Sequence, residues 1–261
     1  MIEMGFFKNV LARIGIGGTK IDTILFDQSV RIGEKIKGEV QIFGGTVEQQ
    51  IKEIFLVLNT KVEKEVDDNT YYVTVPVHRL HIPLSTVVKP GEKQVVPFEL
   101  EIPFHSPISF GKVKLWIQTE AEILSAIDAQ DQDMIKILPH ATQEVVLSAI
   151  DRLGFTLRNS DNEHKSYSKL GYEQEFEYYP SQEFRGYLDE LEVAFDLTAD
   201  ELVLKLTIDR RARGLGGFLA EMAGADDRRV TVRFHHKELT AQNVADVAER
   251  IRQTIHQNKK Y

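Results

Sequence analysis

From Ile21 to about Ile123 the apolar residues recur at every second position, which sends them to one face of an extended chain and predicts half-buried antiparallel strands. The clearest runs are Ile36, Val40 and Ile42; Ile54, Leu56 and Leu58; Val73, Val75 and Val77; Leu80, Ile82 and Leu84; Phe98, Leu100 and Ile102; and Val113, Leu115 and Ile117. Gly33, Gly44 with Gly45, Asp67 to Asn69, Pro90 with Gly91, and Pro103 to Gly111 supply positive or fixed φ and punctuate these runs. Strands at this spacing predict a β-sandwich over residues 1–130.

The pattern breaks at Asp128 to Asp133, which sets the expected boundary with a second domain, residues 131–261. There the period first lengthens. Val146, Ile150 and Leu153 fall on one helical face that Gly154 ends. The two-residue period then returns in Leu191, Val193, Phe195 and Leu197 and in Leu202, Leu204, Leu206 and Ile208, joined by a turn at Thr198 to Glu201, and again in Val230, Val232 and Phe234. Near the end, Val244, Val247, Ile251 and Ile255 form an apolar helical stripe that Thr240 is placed to cap, and this stripe needs a surface to dock on.

With 42% hydrophobic and 28% charged residues, composition adds a folded, globular character. The chain has no cysteine, which removes disulfides, thiolate metal sites and cysteine nucleophiles and fits a reducing, cytoplasmic setting. Charges at Glu3, Lys8 and Arg13 interrupt the first apolar segment, so a secretory signal is not expected, and no stretch approaches the roughly 20 apolar residues of a membrane span. Up to Gln130 there are 14 basic and 17 acidic residues, and beyond it 18 and 23. Neither half is a polycation, so nucleic acid is not the expected partner.

Chemistry is sparse. His78 and His81 are three apart on a predicted strand and leave by opposite faces, and His235 and His236 diverge likewise, so neither pair chelates a metal simply. No metalloprotease, nucleophile-elbow or P-loop motif occurs, and the acidic pairs at Asp67, Asp200 and Asp226 sit in predicted turns. The expectation is a protein without enzymatic activity, cofactor or metal.

Two segments invite a binding role. Asp209 is followed by Arg210, Arg211 and Arg213 and then by Gly214, Gly216 and Gly217 before a short apolar run, a loop that could hold an anion at a helix N-terminus. Those glycines miss the dinucleotide fingerprint, and a tight reversal whose arginines pair with Asp209 or Asp189 is the competing reading. Phe6, Phe7, Val10, Leu11 and Ile14 could form a short amphipathic helix, better suited to packing on this protein or a second subunit than to a membrane.

The residues also resemble a known family. IGEKIKGEVQI at Ile32 to Ile42 resembles an arrestin-clan pattern with Ile32 in place of proline, and Lys89 to Ile123 resembles the arrestin stretch in which PGE precedes a strand. Over the whole chain the similarity is to bacterial sporulation-control proteins, through FFKNVLARIGIGG at Phe6, KIDTIL at Lys20, YLDELEV at Tyr187 and DRRARGLGGFLAEMAG at Asp209. That resemblance implies a mainly-β fold of two arrestin-like antiparallel sandwiches with short helices, and an intracellular regulator or scaffold that contacts other proteins. An edge strand such as Val113 to Ile117 is the expected contact site, and a homodimer through an edge or the terminal helices is a further expectation.

Overall fold

The computed structural model describes residues 17–67, 69–124, 127–210 and 228–258, apart from the side chains of Asp209 and Arg210. The chain divides into two compact units, one of residues 1–61, 74–106 and 114–138, the other of residues 62–73, 107–113 and 139–261. The change after Leu138 differs from the boundary expected near 130. Residue 130 lies inside a strand, and Gln130, Gln132 and Met134 continue its pairing where the apolar alternation lapses.

In the first unit, β1 (Lys20–Leu25), β3 (Lys35–Phe43) and β6 (Lys93–Glu101) form an antiparallel sheet in the order β1-β3-β6. A second set of strands runs β4 (Gln49–Val66), β7 (Leu115–Ile123), β8 (Ala129–Leu138) and β2 (Ser29–Arg31), with β2 parallel to β8. The alternating rows are the core: Ile36, Val40, Ile42, Ile54, Leu56, Leu58, Leu100, Leu115, Ile117 and Ile137 are buried. The turn glycines Gly33 and Gly91 have φ of +83° and +73°, where a side chain would be strained.

β5 (Asn69–Val88) is one strand of 20 residues carrying two of the expected runs. Val73 and Val77 have odd numbers and Leu80, Ile82 and Leu84 even ones, so the apolar row changes face within the strand and no turn intervenes. β7 has β4 on one side and β8 on the other. Residues 115–117 are therefore interior to the sheet, and the expectation of an edge at Val113 to Ile117 is corrected: an apolar alternation says which face is buried and nothing about which side is paired.

The second unit holds β9 (Thr156–His164), β10 (Tyr172–Tyr179), β11 (Leu188–Leu197), β12 (Glu201–Arg210) and β13 (Arg228–His235), antiparallel in the order β13-β12-β11-β10-β9. The β11–β12 hairpin and β13 follow the sequence pattern, with Leu191, Val193, Leu204, Leu206, Val232 and Phe234 buried. Helix α1 (Ala141–Arg152) is capped by His140, whose side chain accepts from the Thr142 N–H while Gln143 accepts from the His140 N–H. Helix α2 (Val244–Asn258) buries Val247, Ala248, Ile251 and Ile255 and packs on α1, which is the surface its stripe required. Thr240 makes no side-chain cap bond: it precedes a 3₁₀ turn at Ala241–Asn243, and the helix proper begins at Val244.

Candidate functional site

Strand edges come first because unpaired N–H and C=O groups are strong binding groups. Among the described residues β5 hydrogen-bonds to β4 and to no other strand. Pro76 and Pro83 lie within it, as suits an edge, where a missing N–H costs no ladder bond. Tyr71, Tyr72 and Val73 are 53%, 50% and 41% exposed, unusual for consecutive large side chains. The Tyr72 hydroxyl donates to the Glu63 carboxylate at 2.6 Å, and this bond holds the phenolic proton in place.

Further along β5, the Arg79 guanidinium lies 3.8 Å from the centre of the Phe55 ring and the His81 ring stacks on it at 4.9 Å. His81 Nε2 meets Glu53 at 2.6 Å. This is a surface pairing of aromatic and charged groups. Among the described residues no set of three His, Asp or Glu side chains is placed to hold a metal ion.

The second unit carries a cavity of 300 Å³ over β10 to β13, lined by Tyr167, Glu173, Glu175, Glu192, Lys205 and Arg229 around Val193, Ala194 and Val230. Lys205 in this lining, and Lys165 beside it, are each held between two carboxylates. Lys165 lies 3.0 Å from Glu163 and 2.9 Å from Glu175, and Lys205 bonds Glu173 and, at 2.9 Å, Asp196. Burial pushes Glu175 up to about 7 against the pull of Lys165, with Glu163 and Glu192 adding repulsion. Burial also works against the Lys165 cation, but Glu175 and Glu163 together outweigh it and raise its pKa. The lining sets three carboxylates, Glu173, Glu175 and Glu192, beside two cations, Lys205 and Arg229.

A third cluster joins α2 to the preceding chain. The Tyr187 hydroxyl is 3.0 Å from His256 Nδ1, and His256 Nε2 is 2.9 Å from Glu183 Oε1. This resembles a catalytic relay, but burial and Glu183 push the Tyr187 phenol up to about 12, so it holds its proton near neutrality and is no nucleophile. Its geometry ties the helix down.

Of the residues singled out in the sequence, Phe6, Phe7, Val10 and Leu11 and the loop residues Arg211, Arg213, Gly214, Gly216 and Gly217 lie outside the described residues. Arg210 ends β12 with its backbone opposite Leu188. The strands that this loop connects are antiparallel neighbours, with Ile208 opposite Arg228. That arrangement is a hairpin connection and not the βαβ crossover of dinucleotide sites. The exposed tyrosines of β5 and the buried Glu175 escaped sequence reasoning. The run Thr70 to Val75, uncharged and strand-prone, was the available signal for the first, and the alternation of Tyr172, Gln174, Phe176 and Tyr178 with glutamates for the second.

Strands, short helices and paired surface charges define a mainly-β protein. Its family follows from comparison with known proteins: the model for the SpoOM protein (Spo0M) family matches residues 7–212, and the chain belongs to that family. It is 38% identical over 252 residues to sporulation-control protein spo0M of Bacillus subtilis (strain 168), covering 95% of this chain and 98% of that protein. The crystal structure of Spo0M from Bacillus subtilis superposes with a TM-score of 0.83 at 37% identity, covering 93% of this chain and 99% of that one.

Proposed function

We propose that this chain is a non-enzymatic cytoplasmic regulator that works by binding other proteins, built as two arrestin-like sandwiches and acting in developmental or cell-cycle control. Family membership and the sporulation-control role named for its Bacillus subtilis relative support this reading. The observation that carries it is the β5 edge, a strand of 20 residues that among the described residues pairs with β4 alone. Capture of a defined partner at fixed stoichiometry in native pull-downs, identified by mass spectrometry and lost in Val87→Asp, is the expected result, since Val87 is an exposed position of that edge. Capture no better than a tag alone, or turnover in hydrolase and transferase screens, would sink it.

The alternative, an anion receptor built on Arg210, Arg211 and Arg213 beside Gly214, Gly216 and Gly217, has less support. The cavity next to the start of β13 sets Glu173, Glu175 and Glu192 beside Lys205 and Arg229, and Lys205 is already engaged by Glu173 and Asp196. A thermal shift with phosphate compounds that Arg211→Ala abolishes would reverse the order of the two readings.

A further inference from the structure

Strands β10 to β13 send their charged side chains to one face of the sheet, and the 300 Å³ cavity is a gap in that cover. Strand register lays Glu192, Thr207 and Arg229 in one row across β11, β12 and β13, and Ala194, Lys205 and Thr231 in the next. Phe176 is opposite Val193, which sets Glu175 beside Ala194 at the β10 end of that second row. Lys205 would fill the middle, but its ammonium is drawn away to Glu173 and Asp196. The short side chains of Ala194, Thr207 and Thr231 are left as a floor.

Tyr167 supplies a roof. Its hydroxyl donates to Glu173 at 3.3 Å and its ring lies 6.0 Å from the Arg229 guanidinium, so the side chain reaches from β10 toward β13. Ala194 stands on the charged side of the sheet and is nonetheless only 5% exposed, as a covered floor requires. The two ends of the space differ in sign. Glu192 and Arg229 stand two strands apart, about 10 Å between backbones, and Arg229 forms no salt bridge among the described residues.

We infer that this cavity binds a free amino acid, with its carboxylate against Arg229, its ammonium against Glu192 and Glu175, and a small apolar side chain between Ala194 and the Tyr167 ring. Size limits the occupant: ligand pockets run from about 300 to 1,000 Å³, and one at the low end holds a single residue and not a peptide. Charge excludes simpler occupants. A lone anion would answer Arg229 and leave the carboxylate end without a partner, and a lone amine would do the reverse. Burial pushes Glu175 up to about 7 against the pull of Lys165, so an ammonium brought beside it favours the ionised carboxylate.

Calorimetric titration of the full chain with glycine, alanine, valine and leucine tests the inference, with the amine lacking the carboxylate and the acid lacking the ammonium run beside each. One site per chain is expected, and the best amino acid should bind about tenfold or more tighter than either stripped form. Arg229→Gln, at an exposed position, is expected to weaken the amino acid by about tenfold and leave the amine unchanged, with the same thermal unfolding midpoint. Glu192→Gln is expected to weaken the amino acid and leave the acid unchanged. An amine or acid that binds as tightly as its parent amino acid, or an affinity indifferent to Arg229→Gln, overturns the inference. Failure of all four amino acids to bind at millimolar concentration, with capture of a protein partner intact, overturns it and leaves the contact-edge reading standing, since no residue of β5 lines the cavity.

Discussion

β5 and β13 hold the same topological position, each hydrogen-bonded to one neighbour only, and carry opposite chemistry. β13 is short and its solvent side bears Arg228, Arg229 and Arg233, the charged guard that keeps an edge from pairing. Its inner side is anchored by buried Val232 and Phe234, with the Arg250 guanidinium 4.5 Å from the Phe234 ring. β5 is more than twice as long, half-buried along Leu80, Ile82 and Leu84, and tyrosine-rich where most exposed. One edge is short and lined by arginines, and the other is long and uncharged where it is most exposed.

The largest expected effect tests the anchoring. Phe234→Ala should cost about 3–5 kcal/mol in chemical denaturation, whereas Ile82→Ala, at a half-covered site, should cost roughly 1–2 kcal/mol. Equal losses would mean that β5 is as firmly buried as β13. A smaller effect comes from the acids behind these surfaces. One oxygen of Asp133 is buried without a hydrogen-bond partner among the described residues, and burial, then Asp131 and Asp22, push its pKa from 3.8 up to about 6. The folded state therefore holds this proton more tightly than the unfolded chain, and stability falls as pH rises between about 4 and 6. Asp133→Asn should flatten that slope and stabilise the protein at neutral pH by about 1 kcal/mol, the full shift being discounted for solvent screening. Thermal midpoints across that range measure it.

Removing the guard from β13 is a gentler perturbation. Arg229→Thr with Arg233→Val should leave the fold intact and add concentration-dependent mass in sedimentation beyond that of the parent protein. Failure to associate would show that charge is not what keeps β13 single. Smallest of all, raising salt should change any β5-mediated association by less than about twofold, because no charge lies along Asn69 to Val75. A steep salt dependence would locate the contact elsewhere.

Legibility followed the hydrophobic period. β3, β4, β6, β7, β11, β12 and β13 and both helices were marked by apolar residues at spacing 2 or at helical spacing, since each buries one face only. β9 left no such mark. Its buried residues are Ser160, Asp161 and Asn162, held by Lys112, Asn159 and Gln174, and polar burial has no periodic hydrophobic signature. The candidate surface was half legible: the preference of Thr70 to Val75 for an extended edge lies in its composition, but its being unpaired does not.

What the amino-acid order alone determined was local and one-dimensional: which faces turn inward, where glycine and proline bend the chain, that no thiol chemistry exists, and which family the motifs resemble. Which strand lies beside which was decided by tertiary structure. Alternation constrains the direction perpendicular to a sheet, while pairing acts within its plane through backbone groups that every residue shares. For that reason β7 proved to be interior and β5 an edge.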